Sequence, residues 1–147
     1  MSAGRICTRE VDVVEPQESA WQAAQRMQQR AVGTLLVLNA AQKPIGILTD
    51  RDLMERVLAA GRDPLSTTVD AVMTRNPTTI SEDASIESAL SLMRSGRFRR
   101  LPVVDHEHKA VGLLSLDDVL SLFAEEFTQI GRLLECETPR GVAAATA

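Results

Sequence analysis

Apolar residues recur at helical and strand spacing, in the same order, in each half of the chain. Residues 20–27 and 86–93 carry apolar side chains three and four positions apart, which predicts two amphipathic helices. Each helix is followed by two short apolar runs that a polar turn separates, which predicts a β-hairpin. The predicted hairpin strands are 35–38 with 45–48 in the first half and 101–104 with 111–114 in the second.

Two further elements complete each half. A β-branched segment precedes the amphipathic helix at 11–14 and again at 78–80, and both segments are predicted to be strands. A second helix follows each hairpin, over about residues 50–60 and from residue 116 onward. Gly61 should end the former, while Gly33 and Gly96 lie where the amphipathic helices should end. The predicted order is therefore β-α-β-β-α, twice.

The two halves align without a gap when the sequence is shifted by 66 positions. The shift places identical residues at Thr8/Thr74, Ala23/Ala89, Leu35/Leu101, Gly46/Gly112 and Asp52/Asp118. Two copies of one supersecondary unit explain this match. Because each copy has an apolar face too large to leave in water, the copies should pack together, with small-molecule clefts between them.

Composition narrows the classes of function. The 147 residues are 44% hydrophobic and 24% charged, as in an ordinary globular domain. A formal charge of −4, with three Phe, one Trp and no Tyr, disfavours a nucleic-acid-binding surface. We expect no signal peptide and no membrane span, since no apolar run approaches the ~20 residues that a span needs. Cys7 and Cys136 form no CxxC pair, which fits a reducing cytoplasm.

One motif occurs at the end of both hairpins. Residues 46–52 and 112–118 both read Gly, two apolar residues, Ser or Thr, two variable residues and Asp. A hydroxyl followed three residues later by an acid is typical of a capping box, which merely stabilises a helix start. The glycine instead suggests close approach by another backbone or a ligand. The Asp could accept two hydrogen bonds from a ribose diol. The repetition of the motif favours a ligand, with capping as a compatible role.

These features together resemble a tandem pair of CBS domains (cystathionine-β-synthase domains), often called a Bateman module, over residues 5–126. The resemblance is carried by residues 32–37, 43–53 and 98–105, which read VGTLLV, KPIGILTDRDL and FRRLPVVD. It implies an α+β fold in which two β-α-β-β-α repeats are related by an internal pseudo-twofold axis. We expect repeat 1 at 5–65, repeat 2 at 66–126, and a C-terminal helical extension with a flexible tail at 127–147.

The resemblance also implies a function. Family members bind adenine nucleotides through this motif, with the Asp on the ribose, which assigns Thr49 and Asp52 to one site and Ser115 and Asp118 to another. Basic residues before the Leu-Pro-Val strand reach the nucleotide phosphate in the family. In this chain those positions are Arg99 and Arg100, while Arg94 and Arg97 are expected to face water. The candidate ligand contacts are completed by Gly46, Gly112, Pro102, Val13, Thr79 and Ile80.

The expected role is a regulatory, non-catalytic module that senses nucleotide state and signals through its dimer or an unidentified protein partner. AMP is the first choice of ligand, with ADP, ATP, NAD and S-adenosylmethionine as alternatives. The first repeat has Gly33 and Thr34 where the second has Arg99 and Arg100, which predicts one strong and one weaker site. A ligand-free structural dimer and a nucleic-acid binder that uses residues 94–100 remain as rival hypotheses.

Two other segments attract attention. His106 and His108 flank an acid, but they fall on a hairpin turn without a third ligand, so we expect no metal site. Apolar residues spaced three and four apart from Leu120 to Leu134 form a short heptad pattern beyond the second repeat. This pattern favours pairing with a second chain, and the Ala-rich tail that follows carries no such pattern.

Overall fold

The computed structural model describes residues 1–137 and has an α+β fold. The helices are α1 Ala3–Ile6, α2 Ala20–Arg30, α3 Asp50–Leu53, α4 Val69–Val72, α5 Ile86–Gly96 and α6 Leu116–Glu137. A π-helical turn, Met54–Leu58, continues α3. The strands are β1 Val13–Val14, β2 Thr34–Leu38, β3 Pro44–Thr49, β4 Thr74–Arg75, β5 Ile80–Ser81, β6 Arg100–Val104 and β7 Ala110–Ser115.

Each half contains the predicted strand, helix, hairpin and closing helix. The hairpins β2–β3 and β6–β7 have the same register, so that Thr34 pairs with Thr49 as Arg100 pairs with Ser115. The first strands β1 and β5 run parallel to β2 and β6. Both first strands are shorter than the sequence predicts and lie nearer the C-terminal end of the predicted segments. The residues before them take part in a second set of contacts that the sequence did not predict.

Through those contacts, the leading segment of each repeat packs on the other repeat, so that the two segments are exchanged. Helix α1 begins the first repeat but packs on the second, where Ala3 N–H donates to Ala84 O (2.8 Å). Helix α4 begins the second repeat but packs on the first, where Val69 N–H donates to Glu18 O (2.8 Å). These two bonds are related by the 66-residue shift. Ala3 accordingly belongs to the core of the second repeat, and Val69 to that of the first.

The exchange extends to the sheets and to the cores. Strand β4 joins the edge of β3 to make the four-stranded sheet β1-β2-β3-β4, while β5-β6-β7 forms the second sheet. Thr8 makes the equivalent pairing with Leu113 at the edge of β7, through a pair of backbone hydrogen bonds of 3.0 and 2.9 Å. Two hydrophobic cores result, and each contains buried residues from both halves of the sequence.

The glycines of the repeated motif, Gly46 in β3 and Gly112 in β7, lie against these exchanged leading segments. A Cβ atom added at Gly46 would overlap the side chain of Met73, which follows α4. A Cβ atom added at Gly112 would lie 2.5 Å from Cys7 Sγ and 2.8 Å from Thr8 O. Cys7 is buried at this contact, and its burial raises the pKa of the thiol. The close approach at both glycines is therefore made by protein atoms.

The first amphipathic helix ends before the predicted Gly33, whereas the second ends at Gly96 as predicted. Helix α2 ends through Ala31 (φ 53°) and α5 through Arg97 (φ 54°), two positions related by the repeat. At Gly96, the last residue of α5, the ring of Phe98 occupies the space that a Cβ would need. Gly61, with φ 68°, does follow the helical segment that ends near residue 59, as predicted.

Helix α6 continues well beyond the second core, as the heptad pattern predicted. Its 22 residues reach Glu137. No helix in residues 1–137 is both long enough and apolar enough to cross a membrane. The predicted Ala-rich tail at 138–147 lies outside the described residues.

The contact at Gly112 gives a test of the segment exchange. We expect Gly112→Ala to lower the free energy of unfolding, measured by urea denaturation, by roughly 1–3 kcal/mol, because the added methyl group would overpack Cys7 and Thr8. Gly131→Ala is the matched control: its Cβ meets nothing within 4 Å, and it should leave stability unchanged or raise it by up to ~1 kcal/mol. Equal stability of the two variants would contradict this packing.

Candidate functional site

The repeated motif forms a capping box in the first repeat. Thr49 is the N-cap of α3, and its Oγ1 accepts a hydrogen bond from Asp52 N–H (3.1 Å). Asp52 Oδ2 accepts in return from Thr49 N–H (2.9 Å). The Asp52 residue is 9% exposed, and its Oδ1 lies 3.3 Å from the Arg56 guanidinium. The carboxylate is therefore held in place on both oxygens and has its charge compensated.

The second repeat repeats the cap but lacks the compensating cation. Ser115 N–H donates to Asp118 Oδ2 (2.7 Å), and Asp118 N–H donates to Ser115 Oγ (3.1 Å). The position that corresponds to Arg56 is Leu122. Within residues 1–137, Asp118 Oδ1 has no hydrogen-bond or ion-pair partner. The capping interpretation thus holds for both copies, and the two aspartates differ in how much of their charge remains available.

Asp52 borders a cavity of about 350 Å³ that both repeats line. We call it the Asp52 cavity. Thr49 and Asp52 come from the first repeat. Arg100, the first residue of β6, and Arg99 just before it come from the second. Its remaining lining residues are Ile47, Thr74, Asn76, Pro77, Thr78 and Phe98. The cavity combines an apolar wall with one carboxylate and two guanidinium groups.

Asp118 borders a second cavity, of about 240 Å³, which we call the Asp118 cavity. Ser115 and Asp118 line it together with Thr34 of β2, so this cavity also spans both repeats. Its other lining residues are Thr8, Glu10, Val11, Asp12, Val32, Gly33, Arg100, Leu113 and Asp117. Four of the lining side chains are acidic, in contrast to the Asp52 cavity.

The arginines divide between the cavities as follows. Arg99 lines the Asp52 cavity, whereas Arg100 lines both cavities. Neither guanidinium has an ion-pair partner among residues 1–137. Arg94 and Arg97 are exposed and line neither cavity. The structure thus brings Thr49, Asp52, Arg99 and Arg100 into one place, which answers a question that the sequence left open.

Other candidates from the sequence lie outside both cavities. Gly46 and Gly112 pack on the exchanged segments described above. Pro102 is buried in β6, opposite Leu113, and Ile80 is buried in the core of the second repeat. Thr79 lines neither cavity, although its neighbour Thr78 lines the Asp52 cavity. Their ligand contacts stay predictions.

Val13 lines a third and larger cavity, of about 920 Å³, whose lining residues all belong to the first repeat. The cation in its wall is Arg26, which donates to Glu18 (2.9 and 2.5 Å) and to Val13 O (2.8 Å). This bonding holds the pKa of the Glu18 carboxyl below its usual value. Because Arg26 is already paired, this cavity offers an anion no unpaired guanidinium among its lining residues.

Thr34 is a lining residue of the Asp118 cavity that the sequence did not single out as a ligand contact. It is 8% exposed, and its Oγ1 is buried without a hydrogen-bond partner in the described chain. The 66-residue shift pairs Thr34 with Arg100, but the sequence left open which motif each of them faces. The missing hydrogen bond could be seen only in three dimensions.

The polar residues of the hairpin turn at 105–109 stabilise the turn itself. Asp105 Oδ1 accepts from the backbone N–H groups of Glu107 and Lys109, both at 2.9 Å. His108 adopts φ 62° in this turn, and His106 Nε2 lies 3.2 Å from Asp83. Across residues 1–137, no three His, Cys, Asp or Glu side chains group in a way that could hold a metal ion.

Comparison with known proteins places this geometry in a family. The family model for the CBS domain matches residues 3–59 and 69–125. Hypoxic response protein 1 of Mycobacterium tuberculosis is 33% identical over 119 residues, which are 81% of this chain and 78% of that protein. An uncharacterized protein of Methanopyrus kandleri is 32% identical over 122 residues, or 83% of this chain, and the match spans 62% of that protein's length.

Solved structures show the same fold. A crystal structure of Hypoxic Response Protein I with two coordinated zinc ions has a TM-score of 0.75 at 30% identity, over 82% of this chain and 98% of that one. The CBS domain pair of protein MJ0100, solved with 5′-methylthioadenosine and S-adenosyl-L-methionine, has a TM-score of 0.76 at 24% identity, over 86% of this chain and 98% of that one. This chain therefore belongs to the CBS-domain family and contains two CBS domains in tandem.

Proposed function

We propose that this chain is a regulatory module that binds an adenine nucleotide in the Asp52 cavity. The observation that carries the proposal is the meeting of Asp52 with Arg99 and Arg100 at one cavity between the repeats. Ribose hydroxyls are donors for a fixed carboxylate, which has about four acceptor sites and uses two of them here. Phosphate oxygens are strong acceptors for guanidinium groups.

The remaining walls suit the base. Ile47, Pro77 and Phe98 supply an apolar surface, and the polar side chains of Thr78 and Asn76 lie beside it. Small-molecule sites typically combine mostly apolar walls with a few fixed polar groups that set orientation. AMP is the first ligand to test, and ADP, ATP and NAD share the same adenosine and phosphate chemistry.

The position of the cavity supports a regulatory role. A ligand there would contact residues of both repeats, so it would favour the relative arrangement of the repeats that fits it best. The altered surface would pass the signal to a protein partner or through a dimer, and the module would act as a sensor rather than as an enzyme. The free cysteines Cys7 and Cys136 fit a reducing compartment, and we propose a cytoplasmic location.

Replacement of the arginines tests this proposal. We expect Arg99→Ala and Arg100→Ala each to weaken AMP binding about tenfold in isothermal titration calorimetry, since each removes a charged hydrogen bond to phosphate. Arg94→Ala is the matched control, because Arg94 is exposed and lines neither cavity, and its affinity should stay within about twofold of wild type. If wild-type protein binds no adenosyl compound, the structural-dimer hypothesis prevails.

A second copy of the chain is the partner that we propose for α6. Leu120, Phe123, Phe127 and Ile130 are 54%, 42%, 71% and 50% exposed on one side of this helix, and Leu134 extends the same side. A contiguous exposed apolar stripe of this kind is typical of a protein–protein contact surface. A single helix face that pairs with itself fits a twofold dimer.

If α6 forms the dimer interface, a charged substitution on its apolar side should halve the mass of the particle in solution. We expect Phe127→Glu to convert the dimer into a monomer in sedimentation velocity experiments, because it places a charge at the centre of the apolar face. Gln129→Glu adds the same charge on the opposite side of α6 and should leave the dimer intact. A wild-type monomer, or dimers for both variants, would exclude α6 as the interface.

A further inference from the structure

The side chain of Arg56 joins the two repeats through three partners. Its guanidinium lies 3.3 Å from Asp52 Oδ1, in the motif of the first repeat. The same group donates to Val72 O (2.8 Å) and to Thr74 Oγ1 (3.2 Å from both Nη1 and Nη2). Val72 ends α4 and Thr74 begins β4, so both belong to the exchanged leading segment of the second repeat. We call these contacts the Arg56 clamp.

Two partners of the clamp also line the Asp52 cavity. Asp52 and Thr74 are part of its wall, whereas Arg56 lies behind them and does not line the cavity. A guanidinium presents its donors in a rigid planar fork, so it can hold several acceptors in a fixed geometry. A ligand that contacts Asp52 and Thr74 restrains two of these acceptors. Its binding therefore lowers the entropic cost of closing the clamp.

Arg56 also lies in the π-helical turn Met54–Leu58. There Ala59 N–H donates to the carbonyl of Met54, five residues back, at 2.8 Å. Such turns are rare and are frequently found at functional sites. Met54 and Leu58 are 49% and 78% exposed, so the turn presents two apolar side chains to solvent. No residue of the turn lines any of the three cavities, and the clamp thus connects the Asp52 cavity with a surface outside it.

Among the described residues, the second repeat has no equivalent of this clamp. Leu122 occupies the position of Arg56 and packs against the core of the second repeat. A leucine side chain has no hydrogen-bond donor. Helix α6 is α-helical from Leu116 to Glu137, without a π-helical turn. The connection between a motif aspartate and an exchanged segment through a cation is therefore confined to the Asp52 cavity.

Resting on the proposed function, we infer that Arg56 is a positioning residue that couples occupancy of the Asp52 cavity to the exchanged segment and to the π-helical turn. A bound ligand stabilises the clamp, and the clamp holds Asp52 and Thr74 in the orientation that the ligand needs. The turn then presents Met54 and Leu58 in one arrangement to a protein partner. Occupancy of the Asp118 cavity is not transmitted by this route.

Hydrogen exchange of the full chain, measured by mass spectrometry with and without saturating AMP, tests this inference. In wild-type protein we expect AMP to slow amide exchange over residues 54–59 by about threefold or more. Arg56→Leu should abolish this protection, while residues 98–100 at the cavity stay protected by AMP. Leucine is the residue of the second repeat at this position, so the variant should fold. Arg51→Leu is the matched control: the Arg51 side chain is exposed and pairs with Glu55, and its loss should leave the protection unchanged.

Arg56→Lys separates the clamp from its charge. A lysine ammonium restores a cation behind Asp52, but it is a point charge that lacks the planar fork. In titration calorimetry we expect this variant to bind AMP within about threefold of wild type, while AMP no longer protects residues 54–59 from exchange. Arg56→Leu should weaken AMP binding by about fivefold or more, because an uncompensated Asp52 repels the phosphate.

Three outcomes would overturn the inference. They are protection of residues 54–59 by AMP that persists in Arg56→Leu or Arg56→Lys, an equal loss of protection in Arg51→Leu, and AMP that binds wild-type protein without slowing exchange there. Absence of AMP binding to wild-type protein would overturn the proposed function and the coupling together. The unliganded proteins still test the clamp in that case, since Arg56→Leu should exchange the amides of residues 72–75 about threefold faster than Arg51→Leu.

Discussion

The exchange of leading segments between the repeats determines the rest of the structure. Helix α1 and Cys7 complete the core of the second repeat, and α4 and Met73 complete that of the first. Neither half of the sequence can therefore bury its own apolar residues without the other. The exchanged chain also lies along the sheet edges next to the motif glycines, where it brings Thr8 and Thr74 to the mouths of the two cavities.

The repeated motif shows how one set of contacts can support both stability and recognition. The hydroxyl and the carboxylate cap each other's backbone, which fixes the aspartate in one orientation without a ligand. A preorganised carboxylate binds a diol at a lower entropic cost than a mobile one would. The repeats then diverge in the surroundings of this fixed group, with Arg56 behind Asp52 and Leu122 at the matching position behind Asp118.

Periodicity predicted the hairpins, the amphipathic helices and the repeat, because these elements depend on local patterns of apolar residues. It placed the first strands too early, since residues 8–12 and 74–78 pair with or border the other repeat, and such long-range pairing leaves no local signal. The left-handed C-caps at Ala31 and Arg97 were missed because glycine usually occupies this position, and neither residue gives that signal. Thr34 was invisible as a ligand contact because its missing partner is a property of the folded core.

Arg100 stands where the two cavities meet, and a single guanidinium cannot serve both at once. An anion that draws it into the Asp52 cavity leaves the Asp118 cavity more negative and so more favourable to a cation. Thermodynamic linkage makes this effect reciprocal, so that occupancy of the Asp118 cavity would change the affinity of the Asp52 cavity by the same factor.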